Sequence, residues 1–126
     1  MDYCVYNSIT TPDGTVLACE HRHDYKAHED KNGEIYMNDG GEFYVRRSVN
    51  KVPYIDNSVW TSHGHDKVRK VFSWGTYGKF GDEEYRRITL CDMETGHIEA
   101  IIDTQRHLPD YIIDIFKAEL EYRNVF

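Results

Sequence analysis

Residues 21–47 read HRHDYKAHEDKNGEIYMNDGGEFYVRR, and the reading of this stretch decides the fold. Its centre, Lys31-Asn32-Gly33, separates two alternating runs, Asp24 to Asp30 and Glu34 to Asn38. A type I turn with Gly33 in the left-handed region joins them as a hairpin, because glycine meets no Cβ penalty at positive φ. That turn pairs Asp30 with Glu34, and therefore Ala27 with Met37. Strand side chains alternate, so Tyr25, Ala27, Ile35 and Met37 share one face, and Lys26, His28, Tyr36 and Asn38 share the other. The first set is the more apolar and is expected to face the core. Asp39-Gly40-Gly41 reads as a second turn, into a strand from Glu42 to Ser48.

Upstream, Tyr3 to Thr10 and Thr15 to Glu20 flank Thr11-Pro12-Asp13-Gly14, where proline presets φ and glycine accepts the left-handed region. The first half is therefore expected to be an antiparallel β-meander. Lys51 to Thr61 contains Pro53 and reads as a loop with at most a short edge strand. From Asp66 the spacing turns helical through Val68, Val71 and Phe72, with Gly75 where that helix would end. Glycines at 75, 78 and 81 suggest a loop before a strand at Tyr85 to Leu90. Ile98, Ile101 and Ile102 form a helical stripe, and Arg106-His107-Leu108 interrupts it. Pro109 suits the first turn of a last helix carrying Ile112, Ile113, Phe116 and Leu120. Two short helices with a tight link should pack as a helical hairpin on the sheet. The expected fold class is α+β, with a β-meander, a short middle helix, and a C-terminal strand and helical hairpin.

At 126 residues the chain suits a single domain, near the common size of about 100–150 residues. A net charge of −7 argues against binding a nucleic-acid backbone, which needs a basic surface. No run approaches the roughly 20 apolar residues of a membrane span, and MDYCVYNSIT lacks the basic start and apolar core of a signal peptide. Cys4, Cys19 and Cys91 are odd in number and set among apolar residues. They read as reduced side chains in a cytosolic compartment.

Candidate sites come from the costly polar types in the opening block. His21 and His23 are two apart, as are His63 and His65 in Ser62-His63-Gly64-His65-Asp66. Two such pairs brought together would supply the four ligands of a zinc site. The alternative is that His63 and His65 sit in a loop whose Ser62 or Asp66 caps a helix. Arg46 and Arg47 stand near Tyr44 and Tyr36, and guanidinium with aromatic faces could hold a phosphate and a base. The opposing reading is that the arginines straddle a strand and pair with carboxylates. Neighbouring strand residues point to opposite faces, so only one of the two can serve a ligand; the other should be structural. His23, Asp24 and His28 complete the candidate binding set. The run Gly75 to Gly81 lacks the Gly-Lys-Ser/Thr ending of a phosphate loop and reads as a flexible connection. No catalytic set stands out.

The pattern His23-Asp24-Tyr25, His28, Asp30, Asn32-Gly33, Tyr36-Met37, Asp39-Gly40-Gly41, Tyr44 and Arg46-Arg47 resembles small uncharacterised proteins of tailed bacteriophages. Phe72 to Lys79, Asp92-Met93 and His97 to Ile101 resemble their second half, and the similarity runs from Ile9 to Leu120. His63-Gly64-His65 lies outside that pattern. The resemblance implies viral origin and action in the cytoplasm of an infected bacterium, and it carries no catalytic residues. The expected function is that of an accessory protein that binds and blocks a host factor, such as an antiviral-defence component, without a cofactor. Alternatives are a binder that sequesters a nucleotide signal and a small zinc-dependent hydrolase. Partners are then a host protein or a small nucleotide, with homo-oligomerisation possible.

Overall fold

In the computed structural model, residues 2–19, 24–41, 44–47, 54–78 and 81–124 are described, apart from the side chains of Tyr44 and Arg46. The chain divides into two compact units between Gly64 and His65. The fold class is α+β, as strand patterns in the first half followed by helical patterns in the last third predict.

The first unit is built from two antiparallel sheets. In one, β1 (Cys4–Thr10) is central, with β2 (Val16–Cys19) on one side. On its other side lie β6 (Ile55–Asp56) and β7 (Val59–Trp60), two short strands where a loop with one short edge strand was expected. The other sheet is a meander of β3 (Tyr25–Glu29), β4 (Ile35–Gly41) and β5 (Tyr44–Arg47). The predicted hairpin register is present: Ala27 pairs with Met37, and the Asp30 N–H donates to the Glu34 carbonyl at 2.9 Å. Asp30 closes the turn, because its Oδ1 accepts the Asn32 and Glu34 N–H groups at 2.9 and 3.0 Å. Gly33 takes φ +81°, with nothing closer to a notional Cβ than a Glu29 oxygen at 4.0 Å. Valine there would meet backbone strain and no clash. Gly33→Val is expected to destabilise the chain by about 1–3 kcal/mol; unchanged urea unfolding would mean the turn tolerates another conformation.

Two expectations are corrected within this sheet. First, the core lies under the opposite face of β4. Tyr36 and Asn38 are fully buried, whereas Tyr25 and Ile35 are each 57% exposed and Ala27 is exposed. Tyr36 packs with Ile9 of β1 and Leu17 of β2, and its ring fills more interior than Ile35 could. Asn38 can be buried because its Nδ2 donates to the carbonyls of Leu17 (2.9 Å) and Asn7 (3.3 Å). Second, Asp39-Gly40-Gly41 is not a turn. It continues β4, pairing with β5 through Gly40↔Val45 and Gly41↔Tyr44, and the expected strand start at Glu42 lies outside the described residues.

The second unit begins with α1 (His65–Val71), which ends earlier than Gly75. Ser73–Thr76 forms β8, paired with β9 (Arg86–Thr89), and a Cβ at Gly75 would overlap the Tyr85 ring. Glycine there admits an aromatic ring across the strand, where a helix ending was expected. α2 (Thr95–Thr104) buries Ile98 and Ile101, and α3 (Asp110–Tyr122) follows Pro109, which precedes the first turn. The helices form the predicted hairpin, and Phe116 of α3 meets Trp74 of β8 and Phe72 edge-on, at 5.4 and 5.8 Å between ring centroids. The buried stripe of α3 is Ile115, Phe116 and Glu119; Ile112, Ile113 and Leu120 are only half-buried. No helix among the described residues is long and apolar enough to cross a membrane.

Candidate functional site

Arg47 is the structural member of the arginine pair. Its NH2 donates to Asn7 Oδ1 (2.9 Å) and Ser58 Oγ (2.7 Å), and its Nε to Asn38 Oδ1 (3.3 Å). NH1 pairs with Asp56 Oδ2 at 3.0 Å, and the group lies 5.8 Å from the Tyr54 ring centre. Burial works to raise the Asp56 pKa, but the Ser58 N–H and the Arg47 guanidinium outweigh it and hold the carboxyl below its ordinary value. One guanidinium thus ties β5 to β1, β4 and the β6–β7 connection. Arg46 pairs with Asp39 and Tyr44 with Gly41 in the backbone register. Their side chains lie outside the described part. Tyr36 has no ring face for a ligand to stack on, because the core encloses it.

Among the described residues, His28, His63 and His65 have different partners. His28 Nε2 lies 2.8 Å from Asp13 Oδ2 and 3.3 Å from Thr15 Oγ1, which links β3 to the turn between β1 and β2. Asp13 also accepts from the Thr11 hydroxyl, and these hydrogen bonds hold its carboxyl below the usual carboxylate range. Asp24 stands at the start of β3, 3.9 Å from Lys26 Nζ. His21 and His23 lie outside the described residues. The exposed His63 accepts the Trp60 N–H on Nδ1 at 3.2 Å, whereas His65 Nε2 lies 2.9 Å from Glu119 Oε1 in the second unit. His63 and His65 are thus engaged by different partners in different units. Among the described residues no three His, Cys, Asp or Glu side chains are grouped to hold a metal ion. Cys4 and Cys19 are buried free thiols, and burial pushes Cys4 up to about 11, far from a thiolate.

Among the described residues of the second unit, Glu119 gathers a charged cluster that was not singled out in the sequence. Glu119, fully buried, accepts from Arg69 Nε and NH2 at 2.9 Å each, from His65, and from Arg123 Nε at 2.6 Å. Arg123 also donates to the carbonyls of Leu90 (3.0 Å) and Met93 (2.8 Å), and Arg69 lies 4.2 Å over the Tyr122 ring. Burial alone would raise the Glu119 pKa, but the bonds from Arg69, His65 and Arg123 lower it to about 2. Every oxygen of that carboxylate is engaged, so the cluster fastens α1, α3 and the Leu90–Asp92 turn together.

Outward in the first unit, along with Val16 and Ile55, is the face expected to be the core. Across β3 and β4 it carries the register pairs Tyr25↔Asp39, Ala27↔Met37 and Glu29↔Ile35. The apolar members run diagonally from Tyr25 to Ile35. Two large apolar side chains, Tyr25 and Ile35, are thus exposed at opposite ends of that diagonal. Compared with family models, curated proteins and solved structures, the chain matches none.

Proposed function

We propose that the chain is a small bacteriophage accessory protein that acts by binding, and that it blocks a host factor such as a component of antiviral defence. The recognition surface in this reading is the outer face of β3 and β4, formed by Tyr25, Ala27, Ile35 and Met37. The observation that carries it is the exposure of Tyr25 and Ile35, each at 57%, while Tyr36 and Asn38 turn inward. Burying Ile35 and Tyr25 at an interface would contribute about 1.5–3 kcal/mol each, enough for these two to anchor a contact. The phage-like pattern gives the setting, the cytoplasm of an infected bacterium. A nucleotide-binding role would have to work without Tyr36 and Arg47, whose side chains are committed to the interior.

The test is affinity capture of the tagged full chain from bacteria infected with a tailed phage, beside the double variant Tyr25→Asp, Ile35→Asp. A single host protein should accompany the parent in stoichiometric amount, and its own activity should fall when the purified chain is added. The double variant should fold with the parent's circular dichroism and retain neither effect. Equal capture and equal inhibition by both proteins would move the recognition surface elsewhere.

A further inference from the structure

We draw no further inference here: the strongest candidate, the outward face of β3 and β4 that carries Tyr25 and Ile35, belongs to the recognition surface already proposed, and nothing in the structure shows what covers it.

Discussion

Glu119→Gln is expected to destabilise the chain by about 3–5 kcal/mol, the cost of removing one partner from a buried ion cluster. The amide keeps the shape of the carboxyl but removes the charge that balances Arg69 and Arg123, both of whose side chains are less than one-fifth exposed. It also forces an NH2 group toward guanidinium donors that need an acceptor. Urea unfolding of the full chain measures the loss. The same cluster sets a pH dependence. The pKa of Glu119 is lowered from 4.5 to about 2, so its contribution is fully present above the unfolded value. It is lost as pH falls from about 4.5 toward 2, because the unfolded chain then binds the extra proton. The parent should therefore lose stability over that window more steeply than Glu119→Gln, which carries no proton-binding group at this position. Parallel pH curves, or a variant that unfolds at the parent's urea midpoint, would mean that the arginines find their stabilisation elsewhere.

How much of this was legible in the sequence follows from the range of each interaction. The Lys31-Asn32-Gly33 turn is local chemistry, and its residues predict both the positive φ of Gly33 and the Ala27↔Met37 register. The same stretch misleads about faces, because alternation gives two sets and only the opposing sheet decides between them. Tyr36 and Asn38 turn inward because Ile9, Leu17 and the carbonyls of Asn7 and Leu17 await them, twenty to thirty residues away in sequence. The role of Arg47 was half-legible: strand alternation requires one structural arginine, but its acceptors Asn7 and Ser58 are distant. A local signal for Glu119 did exist. It stands three residues after Phe116 and four before Arg123, a carboxylate set into an apolar stripe with a cation at i+4. A charge at such a position needs a buried partner, and His65 and Arg69 supply it from fifty or more residues upstream.

Phe116→Ala should cost roughly 3–5 kcal/mol, because a fully buried ring leaves both its transfer energy and a cavity behind. Two further contacts are lost with it. The ring meets Phe72 at 79° and Trp74 at 77°, edge-to-face geometries that add about 0.5–1.5 kcal/mol beyond area alone. The position of the stripe makes the prediction specific. If α3 packed through Ile112, Phe116 and Leu120, truncation of Ile112 would approach the same cost. With Ile115, Phe116 and Glu119 inward, Ile112 is only half-buried, and Ile112→Ala should cost about half as much or less. Urea unfolding of the two variants side by side separates these arrangements. The Trp74 ring offers an independent readout, since it loses its neighbour in Phe116→Ala and keeps it in Ile112→Ala. Near-ultraviolet circular dichroism should therefore change in the first variant alone. Equal costs would rotate the inward stripe of α3 back toward Ile112. A Phe116→Ala variant that unfolds with the parent would detach α3 from the core of its unit and turn its apolar face into a contact surface.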